Sequence, residues 1–435
     1  MMKAKRSNEL ILEKITAVKG MEDNYTPDVE LWQYIESLIR AEMKTFAYGE
    51  MRTPILEKTE LFVRGVGDAT DIVKKEMYTF LDKGDRSLTM RPEGTAGVVR
   101  AINEHNILNS AAPAVKFYYI GPMFRYERPQ KGRLRQFHQF GVECYGSQSP
   151  YVDAEVIQIL YSILKKLKLS DLSVKLNSIG CQACRPAFKE KAVSFLNGIK
   201  EKLCSECCER IDINPLRVYD CKLPSCREAI GAAPILLDNL CPECSQHFDC
   251  VKGALDSIGI PYVIDARLVR GLDYYTRTAF EVTSKHLGAQ DALGGGGRYD
   301  NLVSELGGPK TPAIGFGMGL ERVIIAVKNQ NIDFGLKTGC DVYIIPLSIK
   351  EQGYAFKLLN ALRNENISAQ MAVSEKKAGA HFKDAEKYGS KLAVVIGEDE
   401  VKKGALAVKN LMARKQDEVL EADLCSFVKS ALCGI

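Results

Sequence analysis

No uncharged apolar stretch in the 435 residues reaches the roughly 18 that a membrane helix requires. The opening MMKAKRSNELILEKITAVKG has neither an apolar export core nor a small-residue cleavage site, so the expected location is the cytoplasm, with no membrane partner. Strong charge of one sign is also lacking. Lys+Arg number 59 and Asp+Glu 55, a net +4, so any contact with nucleic acid must be local. There is no GxxxxGK[ST] loop, no Rossmann glycine fingerprint after a strand, no internal repeat and no low-complexity tract. Tryptophan occurs once and histidine five times, and His105, His138, His247, His286 and His381 are too scattered to suggest a metal centre. What remains is an ordinary globular composition, long enough for two to four domains at roughly 100 to 200 residues each.

The apolar pattern divides the chain. Leu31, Ile35, Leu38, Ile39, Met43 and Phe46 define a long amphipathic helix begun by Pro27, and Thr53-Pro54-Ile55-Leu56 reads as a strand behind it. Residues 114–126 and 136–145 alternate as two strands joined by a charged loop, which makes an antiparallel hairpin. Ten of the fourteen cysteines lie between 180 and 250 among short helical patterns, the texture of an insertion. Strand patterns resume at 261–284, pass LGGGGRYD, and end in AIGFGMGLERVIIAV, where a strand feeds a helix. From Asp341 on, short β-type runs alternate with helical ones, as in a small, largely parallel α/β domain. The expected division is a core over 1–328 with its insertion at about 180–255, a linker over 329–340, and a second domain over 341–435.

Three segments concentrate chemistry. Between residues 125 and 135, Arg125, Arg128, Lys131, Arg133 and Arg135 face a single acid, Glu127, a set suited to phosphate, with Phe137 beside it to stack a purine. On its own such a loop is also what a solvated hairpin tip looks like. Glu93 and Thr95 sit at a turn in RPEGT, where a plain helix cap would serve equally. Gln139 and Glu143, four apart in a strand, share one face and suit a cationic or donor-rich ligand. In RLVRGLDYY, Tyr274 and Tyr275 should point to opposite faces of a strand, and the glycines of LGGGGRYD read either as a turn or as a close approach to ligand.

Taken in order, these segments resemble the histidyl-tRNA synthetase family of class II aminoacyl-tRNA synthetases. GPMFRYERPQKGRLRQFHQFGVE and GFGMGLER match motifs 2 and 3 of the class, the long helix with the Pro54 strand matches motif 1, and RLVRGLDYY and LGGGGRYD match the histidine signatures. The resemblance implies an α+β catalytic domain on an antiparallel sheet with a small helical Cys-rich insertion, then a C-terminal α/β anticodon-binding domain. It implies a homodimer whose substrates are L-histidine, ATP with Mg2+, and tRNA(His). By position, Arg125, Arg133, Phe137 and Arg322 match ATP-binding groups, and Arg270 with Arg125 the catalytic pair at the α-phosphate. Glu93, Thr95, Gln139, Glu143, Tyr274, Tyr275 and Tyr299, together with Arg125 and Arg270, match the histidine pocket. Arg128, Gln130 and Arg135 match positions near the tRNA acceptor end. Catalytically silent paralogues that regulate ATP phosphoribosyltransferase generally lack the C-terminal domain and several of these arginines, and this chain keeps both. Separately, Cys181-x2-Cys184, Cys204-x2-Cys207, Cys221-x4-Cys226 and Cys241-x2-Cys244 have spacings compatible with structural Zn2+, their pairing being open; reduced buried thiols are the alternative.

Overall fold

The computed structural model describes residues 14–67, 70–109, 114–270, 272, 274–288, 291–336, 338–374 and 376–433. Gly271 and Asp273 of the RLVRGLDYY segment lie outside that set. The chain forms two compact units, the second comprising Tyr25–Glu30 and Asp333–Ile435 and the first the remainder up to Ile332.

Among the described residues, eleven strands build the first unit: β1 (Gly49–Glu50), β2 (Leu56–Lys58), β3 (Tyr78–Leu81), β4 (Ser87–Met90), β5 (Val115–Phe124), β6 (Gln136–Tyr145), β7 (Leu172–Ser178), β8 (Tyr262–Ile264), β9 (Thr276–Ser284), β10 (Ala292–Arg298) and β11 (Ala313–Gly319). Eight of them join in the order β1-β5-β6-β11-β10-β9-β7-β8, antiparallel throughout except for the two outermost pairs, while β2, β4 and β3 form a small separate sheet. One face of the large sheet is covered by the helix Pro150–Lys166, whose Val156, Ile157, Ile159, Leu160, Ile163 and Leu164 are fully buried. Ser149 caps that helix by accepting the Tyr151 N–H, and Pro150 follows at the first helical position, where the missing N–H costs nothing.

The motif 1 region differs from the expected strand at Thr53–Leu56. Residues 51–54 are irregular, and β2 starts only at Leu56. Pro54 cannot donate to a ladder, and the Arg91 guanidinium takes the carbonyls instead, donating to Thr53 O at 2.8 Å and to Pro122 O at 2.9 Å. The glycine run is likewise not a turn. It is the middle of β10, a strand buried from Leu293 onward between β9 and β11.

A fully buried ion pair pins this sheet to the covering helix. Arg298, at the end of β10, and Asp153, in the first turn of the helix, are both fully buried and share a forked hydrogen bond; Asp153 also accepts from Thr278 Oγ1 at 2.6 Å and pairs with His247 at 2.8 Å. The insertion consists of short helices, from Arg185–Gly198 to Pro242–Ser257, around a core of Phe188, Leu196, Cys207, Ile211 and Cys226.

The second unit has five strands, β12 (Val342–Pro346), β13 (Ala369–Met371), β14 (Leu392–Ile396), β15 (Ala405–Asn410) and β16 (Lys415–Leu420), ordered β13-β12-β14-β15-β16. It is α/β, but only β13, β12 and β14 are mutually parallel. β15 and β16 run antiparallel because the connection through Glu398–Lys403 is shorter than a parallel crossover requires, and β15 turns back at once into β16. β16, KQDEVL, is mostly exposed and carries no apolar alternation that would have revealed it.

Candidate functional site

Strands β5, β6, β11, β10 and β9 form the floor of a cavity of about 290 Å3 on the sheet face opposite the Pro150–Lys166 helix. Glu93, Thr95, Arg125, Arg133, Phe137, Gln139, Arg270, Tyr274, Tyr275 and Arg322, ten of the expected site residues, line it. Why large side chains can lie flat on this floor is a matter of glycines. A Cβ at Gly315 would stand 1.9 Å from Glu143 Oε2, one at Gly317 2.2 Å from Gln139 Nε2, and one at Gly295 2.8 Å from Arg270 Nη1. Gly295, Gly315 and Gly317 therefore make room for side chains from the neighbouring strand or loop, while Gly296 and Gly297 lie against neighbouring backbone.

At one end of the cavity the groups are acidic and phenolic. Glu93 caps the helix Thr95–Glu104, its two oxygens accepting the N–H groups of Thr95 at 2.8 Å and Ala96 at 2.7 Å, so the plain capping role and the cavity position coincide. Glu143 and Tyr299 lie just behind the lining, fully buried. Thr95 Oγ1 donates to Glu143 at 2.7 Å and Tyr299 OH donates to its other oxygen. Burial pushes the Glu143 carboxyl up to about 8 despite those two hydrogen bonds, and raises Glu93 as well against its two backbone donors. Without a ligand Glu143 is therefore mostly neutral at pH 7.

Tyr274 and Tyr275 do not point to opposite faces. β9 begins only at Thr276, so strand alternation does not govern them, and both rings are buried against the cavity with centroids 4.6 Å apart. Tyr274 packs edge-on against Tyr299 at 5.5 Å.

At the other end the groups are guanidinium. Arg125 donates to Pro92 O at 2.8 Å and lies over the Phe137 ring at 5.2 Å. Arg133 leaves a tight turn, in which Gln130 and Arg133 exchange backbone hydrogen bonds, and pairs with Glu127 at 3.2 Å. Arg322 donates to Gly132 O and Ala292 O, each at 3.0 Å; burial, then the charge of Arg133, lowers its pKa. Arg270 is held by Glu281 at 3.0 Å. Four guanidinium groups converging on the carboxylates of Glu127 and Glu281 call for an anionic occupant.

Arg128 and Gln130 are exposed on the loop and outside the cavity lining, while Arg135 stacks on Tyr126 at 4.0 Å and donates to Glu127 O at 3.2 Å. Sequence reasoning missed Tyr119, Glu281 and Glu321. Tyr119 donates to Gln139 at 3.3 Å and fills the space that side chains at Gly94 and Gly141 would take; those two glycines were its signal. Glu321 accepts the His138 N–H at 2.8 Å and fixes the strand beside Phe137. Glu281 sits opposite Gly295, which only the strand pairing reveals.

In the insertion the eight paired cysteines form two foursomes, Cys181, Cys184, Cys241 and Cys244 in one, Cys204, Cys207, Cys221 and Cys226 in the other, with ligand atoms within 4.8 Å of one another in each. Sγ–Sγ distances of 3.7 Å (Cys181 to Cys184) and 3.9 Å (Cys181 to Cys241) are far too long for disulfides. They match the edge of about 3.8 Å expected for four sulfurs 2.3 Å from one ion.

An antiparallel sheet carrying converging arginines over an amino-acid-sized acidic pocket, with a separate α/β unit behind it in the chain, is the architecture of a class II aminoacyl-tRNA synthetase. Residues 20–183 and 227–323 match the Histidyl-tRNA synthetase family model, and 341–431 match the Anticodon binding domain model. Histidine–tRNA ligase of Desulforamulus reducens is 48% identical over 415 residues, 95% of this chain and 99% of that protein; that of Moorella thermoacetica is 48% identical over 416 residues, 95% and 98%. The apo histidyl-tRNA synthetase of S. aureus superimposes with a TM-score of 0.82 at 36% identity, covering 96% of this chain and all of that one. The chain belongs to the histidyl-tRNA synthetase family.

Proposed function

We propose that the chain activates L-histidine with ATP and then transfers it to the 3′ end of tRNA(His), both in the cavity on the large sheet. The observation that carries this reading is the polarity of that cavity, with guanidinium groups at one end and a buried Glu143–Thr95–Tyr299 cluster at the other. In the first step the histidine carboxylate attacks the α-phosphorus of ATP, the bond to the bridging oxygen breaks, and pyrophosphate leaves with its Mg2+. Two anions must meet, and negative charge builds on phosphorus. Arg125 and Arg270, fixed by Pro92 O and Glu281, offer positive charge to that point without reorganising. Arg133 and Arg322 take the outer phosphates, and Phe137 stacks the adenine. Glu93, Thr95 and Gln139 receive the α-ammonium; Glu143 and Tyr275 meet the two imidazole nitrogens; Tyr274 and Tyr299 close the pocket. No protein nucleophile is involved. In the second step a terminal ribose hydroxyl of the tRNA attacks the acyl carbon, loses its proton, and AMP departs.

The finer assignments follow the same line. Exposed Arg128 and Gln130 meet the tRNA acceptor end, with Arg135 bracing their loop through Tyr126; the second unit binds the anticodon; two copies pair through the motif 1 region; the protein works in the cytoplasm. The eight insertion cysteines hold structural Zn2+, one ion per foursome. ATP–pyrophosphate exchange with each of the twenty amino acids, without tRNA, tests the central reading. Exchange with histidine alone is expected. Histidine binding without exchange would overturn it in favour of a regulatory paralogue.

A further inference from the structure

The first cysteine foursome is tied through Arg185 to the backbone of Tyr275, a residue in the wall of the proposed histidine pocket. It begins where β7 ends: Ile179 N–H donates to Arg277 O at 2.7 Å, and Arg277 N–H donates back to Gly180 O at 2.8 Å. Arg277 lies two residues beyond Tyr275 and has a left-handed backbone, φ +47°, a conformation an arginine holds only when its neighbours impose it. Gly180, φ +61°, lets the chain fold back so tightly that a Cβ there would stand 2.7 Å from Cys184 Cβ. Cys184 N–H and Arg185 N–H both donate to Cys181 O, at 3.1 and 3.3 Å, which closes the loop between the first two ligands. Cys241 N–H donates to Cys184 Sγ at 3.1 Å and ties in the second pair. Arg185, the residue after a ligand, then donates its guanidinium to Tyr275 O. Arg277 and Glu243, the latter between Cys241 and Cys244, add a weak exposed pair at 3.7 Å.

We infer that this metal site is the fastener of the histidine pocket: its Zn2+ fixes Arg185, and Arg185 fixes the Tyr275 backbone that presents the imidazole-reading ring. Arg185 is thus a positioning residue. The inference rests on the Zn2+ and histidine-pocket readings above. The second foursome reaches the rest of the unit elsewhere: Arg210, on the helix that carries Cys207, pairs with Asp71 at 3.2 Å, and the surrounding helices pack into the insertion core. Arg185 and five of the eight ligands fall in residues 184–226, the gap in the family match.

The experiment uses the full chain and steady-state exchange kinetics with zinc analysis. Arg185→Ala should raise the KM for histidine about tenfold or more, the loss of one charge-assisted hydrogen bond, with the KM for ATP nearly unchanged. Arg185→Lys should recover part of that loss. Zinc content in both should stay at the wild-type value, about two ions per chain. Cys241→Ala should release one zinc and raise the histidine KM as Arg185→Ala does, whereas Cys207→Ala should release the other and move that KM far less. An unchanged histidine KM in Arg185→Ala, or equal effects of the two cysteine variants, overturns the coupling. A wild-type chain without zinc that still responds to Arg185→Ala sinks the metal reading instead, and one inactive with histidine sinks the pocket reading.

Discussion

Glu143 offers the sharpest test of the proposed pocket, because burial has raised its carboxyl to about 8 and the proposed imidazole contact would undo that. With that value only about one molecule in ten carries the charge at pH 7, and fixing the carboxylate costs on the order of 1 kcal/mol. If Glu143 meets an imidazole N–H as a carboxylate, each histidine bound at pH 7 expels about 0.9 proton. The dissociation constant should then tighten about fivefold from pH 7 to 8, as the free-state proton is lost anyway. Glu143→Gln keeps the shape and an acceptor oxygen but cannot ionise, so its proton release and the pH dependence of its affinity should be smaller by those amounts. Isothermal calorimetry in buffers of different ionisation enthalpy measures both. Equal proton release in wild type and variant would refute the assignment. Folding stability gives the opposite sign: a carboxyl raised from 4.5 favours the folded state fully only below that value. The wild type should therefore lose stability relative to Glu143→Gln as pH climbs from about 5 to 8.

Arg270→Ala should cut the rate of adenylate formation by about 10²- to 10³-fold with histidine affinity little changed, measured by single-turnover pyrophosphate release; an unchanged rate removes Arg270 from the chemistry. Gly315→Ala, whose Cβ would collide with Glu143 Oε2 at 1.9 Å, should raise the histidine KM about 10- to 100-fold while sparing that of ATP, and equal effects on both would show that the floor merely collapsed. Arg298→Met strands the Asp153 charge in the interior with only Thr278 and His247 as partners, so chemical denaturation of the full chain should show a loss of about 3–5 kcal/mol; a loss below about 1 kcal/mol would mean the pair does not pin the sheet.

What could be read from the sequence was whatever repeats with a period or sits in a fixed spacing. The β5–β6 hairpin, the motif arginines and the cysteine pairs are of that kind, and the face shared by Gln139 and Glu143 followed from strand alternation. Features decided by partners distant in the chain were not legible. Four glycines in a row say turn until β9 and β11 flank them, and Glu281 becomes a site residue only by lying opposite Gly295. Tyr274 and Tyr275 misled because the strand starts only at Thr276, beyond both of them. The strand expected at Thr53–Leu56 gave no sign that the Arg91 guanidinium would take the Thr53 carbonyl. The pairing of the cysteines into 181/184/241/244 and 204/207/221/226 required the folded insertion.

The glycines of β10 and β11 also bear on any effort to redirect the enzyme toward another amino acid. Side chains added at 295, 315 or 317 would strike Arg270, Glu143 or Gln139 before they reached a bound substrate. Randomising those positions would thus mostly produce broken readers rather than altered ones. Variation at Tyr274 or Tyr275, whose rings are buried against the cavity, leaves the supporting floor intact. A successful change of amino acid would start there and spare the glycines.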